Sequence, residues 1–322
     1  MEAAIIQFKP SNLSKTINHE EPLQETLMVD FIRLQLQKNY RTDSYRAHCE
    51  QIIKKLNTYS ELINETIYTF SISDDFLRAF DYFLREQKLR PNTIQGLIQG
   101  IKTHCKKAGN YGYRVHPTFD EYRPEGEKAP GIALNMCEIT RIFYFDKLTI
   151  PQKKIRDLFI IGCLTGLRYS DYSRLTPDNI HDDILSIKTK KTGAVVHIPL
   201  HPYVKEAIAR HKGIIPAVGL SISYFNRYVK MICEKVGLTE EISHIRQVGF
   251  DTVTETNRKC DLLGTHTARR SFATIMYNSG KFTTAQIMLV TGHSSEKSFF
   301  RYIKINPEDN AKLIAANMKL LS

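Results

Sequence analysis

Over the first third of the chain, apolar residues recur at intervals of three and four, the spacing that predicts amphipathic helices. Four such patterns occur, at about 24–38, from Thr42 onward, from Ser73-Asp74-Asp75 onward and after Pro91-Asn92-Thr93. The serine and its two aspartates have the composition of a helix start. Four amphipathic helices joined by short links predict a small helical bundle.

A segment rich in proline, glycine and mixed charge, residues 117–131, has the composition of a linker. A chain of 322 residues is also long enough for two domains. We predict a tail at 1–22, the helical domain at 23–116, the linker at 117–131, a second domain at 132–305 and a last helix at 306–322.

The second domain mixes helical patterns with one short pair of strands. Asn135 and Glu138 have capping-box spacing, which predicts a helix start. Ile184–Thr189 and Ala194–Leu200 alternate apolar and polar residues on either side of a glycine turn, which predicts a hairpin. Residues 241–263 are predicted only as a loop or a hairpin. The predicted fold class is mainly α with a small β-sheet.

Composition narrows the function classes. The 45 basic and 34 acidic residues give a net charge of +11, which favours a polyanionic partner such as nucleic acid, although weakly when taken alone. Six scattered cysteines without a CxxC pair indicate reduced core thiols rather than a zinc ribbon. No stretch approaches the roughly 20 apolar residues of a membrane span, so we expect a cytoplasmic protein with no membrane partner.

Four short patterns in the second domain carry candidate chemistry. In chain order they contain Arg168 with Asp171, Lys190 with Lys191, His266 with Arg269, and His293 with Tyr302. Gly166 allows a tight turn that presents Arg168. The three-residue step from His266 to Arg269 places both side chains on one helical face. Taken singly, each pattern also fits a surface, turn or packing role.

Taken together, the four patterns resemble the tyrosine recombinase (phage integrase) family, and most of all the integrases of bacterial mobile elements. The segments that carry the resemblance are CLTGLRYSDYSRL, KKTGAVVHIPL, GTHTARRSFATIMYNSG and TGHSSEKSFFRYIKI. The resemblance covers about 132–305 closely and the helical domain loosely. It implies a SAM-like, core-DNA-binding bundle followed by a catalytic domain, with double-stranded DNA between them. It also implies a homotetramer in the synaptic complex, while a monomer stays open for the free protein.

The resemblance also implies residue roles. The implied catalytic set is Arg168, Lys191, His266, Arg269, His293 and Tyr302, with Asp171 in support. Tyr302 matches the nucleophile, and His293 matches a position expected to give the phosphate a hydrogen bond. Whether Lys190 or Lys191 is the general acid is left open. The basic residues predicted to contact DNA, with a solvated surface as the alternative, are Lys102, Lys106, Lys107, Arg114, Lys188, Lys190 and Arg270.

The chemistry of these residue types agrees with that family. A phosphodiester repels nucleophiles, so cleavage needs roughly 20 kcal/mol of transition-state stabilisation. Two guanidiniums can bind the phosphate oxygens bidentately. A lysine beside other cations loses its proton more readily, which suits protonation of the leaving 5′-oxygen. The chain has no GxxxxGK[ST] loop, HExxH motif or acidic cluster, so we expect no cofactor, ATP or metal.

The function that the resemblance implies is a site-specific recombinase or integrase that cleaves and rejoins DNA through a 3′-phosphotyrosyl intermediate. Two other functions stay open: DNA relaxation of the type IB topoisomerase kind, and a catalytically silent DNA-binding accessory protein. The missing carboxylate cluster argues against a metal-dependent nuclease. About twenty residues precede the first helix, which we expect to be too few for an additional arm-binding domain, and this argues against classical arm-site integration. Simple integration, DNA inversion and replicon-dimer resolution all stay open. The last helix, 306–322, carries an apolar stripe and is predicted to be exchanged between protomers, with packing on its own domain as the alternative.

Overall fold

The computed structural model describes residues 24–38, 42–127, 131–216 and 218–303, together with 311, 314, 315 and 318. These residues form two units. The first contains the described residues up to Glu127 and also Arg246–Val253, and the second contains the rest. The division after Glu127 falls within the predicted linker. The predicted tail at 1–22 and most of the predicted helix at 306–322 lie outside the described residues.

The first unit contains the four predicted helices, which share one apolar core. They are α1 (Met28–Lys38), α2 (Asp43–Ile63), α3 (Asp74–Glu86) and α4 (Pro91–Asn110), with a 3-10 turn at Thr69–Ser71. Local start signals explain these bounds. The side chains of Thr42 and Ser73 cap α2 and α3 by accepting backbone hydrogen bonds, and Pro91 occupies the first turn of α4.

The second unit is also mainly helical. Its described helices are α5 (Met136–Tyr144), α6 (Ile150–Thr165), α7 (Tyr169–Tyr172), α8 (Pro202–Ala209), α9 (Ile222–Lys235), α10 (Lys259–Leu262), α11 (Thr265–Asn278), α12 (Thr284–Thr291) and α13 (Glu296–Phe300). The capping box predicted at Asn135 and Glu138 is present, with two reciprocal bonds of 2.9 Å. Every residue from Ile155 to Thr165 is buried, so α6 is the central helix, against which α11 packs.

The sheet of the second unit is small. Ile180–His181 (β1), Ile184–Lys188 (β2) and Val195–Pro199 (β3) form an antiparallel sheet in that order. The predicted hairpin is therefore present. The additional strand β1 escaped prediction because two residues cannot show a period of two. Glu241–Val248 (β4) and Asp251–Arg258 (β5) form a separate, two-stranded sheet, the hairpin alternative for 241–263. Its residues Arg246–Val253 belong to the first unit.

Two compositional expectations can be compared with the fold. All six cysteines are free, and five are buried as predicted. The sixth, Cys137, is exposed, so the prediction of a core thiol is wrong there. Its helix α5 buries Ile139, Ile142 and Phe143 instead, which leaves Cys137 on the outer face. In the part of the chain that the structure describes, no helix combines the length and apolar character needed to cross a bilayer.

Candidate active site

The turn that ends α6 presents Arg168. Gly166 has a φ of 67°, and a Cβ added there would lie 2.4 Å from the Phe272 ring, so both the backbone and the packing require glycine. Arg168 then begins α7 in an extended conformation. One of its terminal nitrogens, Nη1, is buried without a hydrogen-bond partner among the described residues. The predicted tight turn is present and leaves a donor for an anion.

Arg269 is fully buried on α11, with a side chain only 1% exposed. Its Nη1 donates to the Gly166 carbonyl at 2.8 Å, and its Nη2 lies 3.1 Å from His293 Nε2. Burial and the charge of Arg168 lower the pKa of Arg269 to about 10, whereas the Tyr302 hydroxyl acts in the opposite direction. The two arginines, far apart in the chain, therefore meet at the Gly166 turn.

His293 follows the left-handed Gly292 that ends α12. Burial and the charges of Arg269 and Arg168 lower the pKa of His293 to about 4, so the ring is neutral near pH 7. Since Nε2 accepts from Arg269, we assign the proton to Nδ1, which lies 2.7 Å from the Thr291 hydroxyl. Both ring nitrogens are thus engaged. The expected hydrogen bond from His293 to a phosphate is not available in this arrangement, where the ring orients Arg269 instead.

Tyr302 lies directly beside this pair. Its ring centroid is 4.9 Å from that of His293, and the Arg269 guanidinium carbon lies 5.4 Å from it. The Tyr302 amide donates to the Phe299 carbonyl at 2.8 Å, and its carbonyl accepts from the Thr274 hydroxyl at 3.3 Å. These contacts fix the backbone of the phenol next to the buried guanidinium.

His266 is the second residue of α11 and is solvent-exposed. Partial desolvation of the ring and the charges of Arg270, Arg269, Arg168 and Lys191 lower its pKa. The ring is therefore neutral near pH 7 and able to accept a proton. The effect of Lys191 also places the tip between β2 and β3 within electrostatic range of His266.

Asp171 ties that tip to α7. Its side chain is fully buried, and Oδ1 accepts from the Lys190 amide at 2.8 Å and from Arg174 at 3.3 Å. Within the tip, the Gly193 amide donates to the Thr189 carbonyl at 2.9 Å. The predicted supporting carboxylate thus acts on the backbone of the tip, which leaves the Lys191 side chain exposed.

Residues predicted to contact DNA differ in exposure. Those exposed are Lys106, Arg114, Lys188 and Lys190. Lys107 is half-buried, with its ammonium 3.4 Å from the Tyr45 hydroxyl. Arg270 is half-buried and donates to the Ile132 carbonyl at 3.1 Å, so it is not a freely solvated side chain.

Lys102 was predicted to contact DNA, and its surroundings contradict that prediction. Its side chain is 2% exposed and donates to the carbonyls of Asp120, at 3.2 Å, and Tyr122. Burial and the charge of Arg123 lower its pKa. The ammonium holds the segment after α4 in place through these two carbonyls, so the prediction of a DNA contact at Lys102 is wrong.

Sequence reasoning missed two residues that hold the site in place. Asn226 on α9 accepts the Thr265 amide at 2.8 Å and so caps α11, whose N-cap residue Gly264 has no side chain to do so. Arg174 binds both Asp171 and the Lys188 carbonyl. The glycine before Thr265 was the available hint that a cap must come from elsewhere, whereas Arg174 gave no signal. Among the residues described, no three or more His, Cys, Asp and Glu side chains are grouped as metal ligands.

Comparison with known proteins finds integrases. Residues 27–123 match the family described as phage integrase SAM-like domain. The integrase of Escherichia phage P2 is 25% identical over 279 residues, which covers 85% of this chain and 73% of the relative. The chain is therefore similar to phage integrases, through a SAM-like domain at 27–123 and through the P2 integrase over most of its length. The resemblance seen in the sequence motifs is thereby confirmed.

Solved structures of tyrosine recombinases share the fold. The Tn1549 transposon integrase, in complex with transposon right-end DNA, superposes with a TM-score of 0.62 and 15% identity, over 92% of this chain and all (100%) of that one. A lambda integrase tetramer bound to a Holliday junction gives 0.60 and 15% identity, over 84% of this chain and 77% of that one. The predicted fold class, a SAM-like helical domain followed by a tyrosine recombinase catalytic domain, is confirmed.

Proposed function

We propose that this protein is a site-specific DNA recombinase that cleaves and rejoins strands through a covalent bond between Tyr302 and a 3′-phosphate. The observation that carries the proposal is that buried Arg269 contacts the turn that presents Arg168 and also lies beside the Tyr302 ring. Integrase relatives whose structures hold DNA support DNA as the substrate. An accessory protein without activity would have no need for these three groups to meet.

In the proposed reaction the arginines bind the scissile phosphate. Arg168 Nη1 and Arg269 Nε lack partners among the described residues, so both are available to its non-bridging oxygens. Negative charge grows on those oxygens as the nucleophile attacks. A preorganised donor of this kind is worth about 3–4 kcal/mol in the transition state. His293 holds the Arg269 guanidinium in orientation for this contact.

Proton transfers complete the step. His266, neutral near pH 7, accepts the proton of the Tyr302 hydroxyl as the phenolic oxygen forms its bond to phosphorus. The bond from phosphorus to the 5′-oxygen breaks, and Lys191 gives that oxygen a proton. The phosphotyrosine keeps the phosphoryl group activated, so a 5′-hydroxyl from another strand can reverse the step without ATP.

Binding and assembly belong to the same proposal. Side chains assigned to backbone phosphates are Lys106, Lys107, Arg114, Lys188, Lys190 and Arg270. The domain at 132–305 carries the chemistry, and four copies act together at the synapse, with the helix at 306–322 exchanged between them. Lambda integrase relatives have been seen as DNA-bound dimers and tetramers, which supports an oligomeric reaction.

A covalent-capture experiment tests this function without knowledge of the target. The protein is mixed with nicked duplexes of random sequence. The nick lets the short strand released by cleavage diffuse away, so the covalent adduct cannot religate. Protein–DNA adducts are then isolated under denaturing conditions, and their DNA is sequenced. We expect one enriched sequence with the wild type and no adduct with Tyr302→Phe, although that variant still binds the enriched duplex. An adduct that persists in Tyr302→Phe would overturn the proposal. Sequence-independent adducts with relaxation of any supercoiled plasmid would instead indicate a topoisomerase.

A further inference from the structure

We infer that Arg174 is a positioning residue that aims Lys191 at the leaving 5′-oxygen, an inference that rests on the function proposed above. Arg174 lies just beyond α7, inside the segment CLTGLRYSDYSRL, but the family resemblance implies no role for it. Its Nη2 lies 3.3 Å from Asp171 Oδ1 and also donates to the Lys188 carbonyl. One guanidinium therefore joins the carboxylate behind the active site to the end of β2.

The tip that carries Lys191 behaves as a small rigid piece. The Thr189 amide donates to the Ala194 carbonyl at 2.8 Å, and the Gly193 amide donates back to the Thr189 carbonyl at 2.9 Å. The hydroxyls of Thr189 and Thr192 lie 2.8 Å apart. Because these bonds are internal to the tip, its orientation depends on how it is fastened to the rest of the domain.

Two hydrogen bonds hold the tip to the rest of the domain, and they lie on opposite sides of Thr189. The Lys190 amide donates to Asp171 Oδ1 at 2.8 Å, and the Lys188 carbonyl accepts from Arg174. A single hydrogen bond would leave the tip free to pivot about Asp171, whereas a second one, on the other side of Thr189, removes that rotation. Lys191 is three residues after Lys188, whose carbonyl accepts the hydrogen bond from Arg174. A rotation of the tip would therefore displace the Lys191 ammonium relative to the phosphate.

Charge supports the same role. Asp171 is 1% exposed, and its second oxygen, Oδ2, has no hydrogen-bond partner in the described part of the chain. The Arg174 guanidinium offsets this buried negative charge, which would otherwise attract Arg168 or Lys191 away from DNA. Arg174 is itself 45% exposed, so a direct contact with a DNA phosphate is the competing role, and the two roles predict different kinetics.

A change of the leaving group in the DNA distinguishes the positioning role of Arg174 from a direct phosphate contact. An oxygen leaving group needs a proton, because an alcohol is a far weaker acid than a thiol. A thiol ionises at about pH 8.5 and can depart as thiolate. Single-turnover cleavage is measured on the captured duplex with oxygen or sulfur at the bridging 5′ position. In Arg174→Ala we expect about 10- to 100-fold slower cleavage of the oxygen substrate. We expect near-wild-type cleavage of the sulfur substrate.

Three variants frame the result. Lys191→Ala should show the same selective recovery, from a loss of about 100-fold or more. Arg174→Lys keeps the charge and one donor and should be intermediate. Arg258→Ala is the matched control, because Arg258 is also 45% exposed and pairs with Glu234 and Asp261, away from the tip. It should leave cleavage of both substrates unchanged.

Equal slowing of both substrates by Arg174→Ala would overturn the inference, because a DNA contact or a general folding defect affects both alike. If Lys191→Ala recovers with sulfur and Arg174→Ala does not, the positioning role fails while the proposed function stands. If Tyr302→Phe still forms the adduct, the proposed function itself fails.

Discussion

The second unit buries positive charge in two places, and the two are neutralised differently. At the first, Asp157 is 1% exposed and is contacted by Arg156 Nε at 2.8 Å, by His211 Nε2 at 2.8 Å and by Arg210 at 3.5 Å. At the second, neither Arg168 nor Arg269 forms an ion pair with any described residue, and Asp171 is paired with Arg174 instead.

The difference separates a structural cluster from a binding site. A buried cation with a carboxylate partner already has its charge neutralised, so an added anionic ligand would not stabilise it further. A buried cation without one is destabilised by desolvation, as the lowered pKa of Arg269 shows. An anion that enters the second place restores the lost interactions. The arginine site is therefore preorganised for an anion, which under the proposed function is a DNA phosphate, and the protein holds that arrangement at some cost in stability.

The largest expected effect comes from removing the buried site arginine. Arg269→Met should slow DNA cleavage by at least about 10³-fold, because a preorganised donor to the phosphate is lost. Since the arginine has no carboxylate partner, the free energy of unfolding should stay the same or rise. Single-turnover cleavage and urea unfolding measure the two effects. A strongly destabilised variant would show that Arg269 is a structural cation like Arg156.

The reverse result is expected at the Asp157 cluster. Asp157→Asn should lower the free energy of unfolding by about 3–5 kcal/mol, because buried Arg156 loses its carboxylate. Cleavage by the molecules that remain folded should be unchanged. Both are measured well below the midpoint of thermal unfolding. Loss of cleavage at full stability would show that the two places are not independent.

Acid should affect the site through His293. Its pKa is about 4 in the folded protein, against about 6.5 for an unfolded histidine, so below pH 6.5 the unfolded chain binds more protons. Stability is therefore lost as the pH falls from 6.5 toward 4, by up to about 3 kcal/mol from this residue. Urea unfolding of His293→Gln should show a correspondingly smaller loss over that range. Identical pH profiles would contradict the assignment.

A smaller effect is expected at the helix that carries His266 and Arg269. Asn226→Ala removes the acceptor that caps the Thr265 amide. Loss of an N-cap costs about 1 kcal/mol, and the first turn of α11, which contains His266, should fray. Amide hydrogen exchange at Thr265–Thr267 should accelerate, whereas Asn226→Asp, which keeps an acceptor, should not show this change.

Much of this architecture follows from neighbours along the chain. The caps at Thr42, Ser73 and Asn135, the glycine turn before Arg168 and the β2–β3 hairpin involve residues within a few positions of one another. Such features can be predicted because their hydrogen bonds form within one turn of helix or one pair of strands. The candidate catalytic set was found in the same way, through short motifs that resemble a family.

Other features depend on segments that meet only after folding. Lys102 belongs to a run of basic residues, but its ammonium is buried and donates to the carbonyls of Asp120 and Tyr122. Lys191, which also lies among basic residues, stays exposed. The cap from Asn226 and the link from Arg174 to β2 likewise join distant positions. A pattern of residue types records how often a side chain is buried or charged. The packing of remote elements determines which partner the side chain meets, and so decides whether a basic residue is buried in a structural contact or stays exposed and free to bind a ligand.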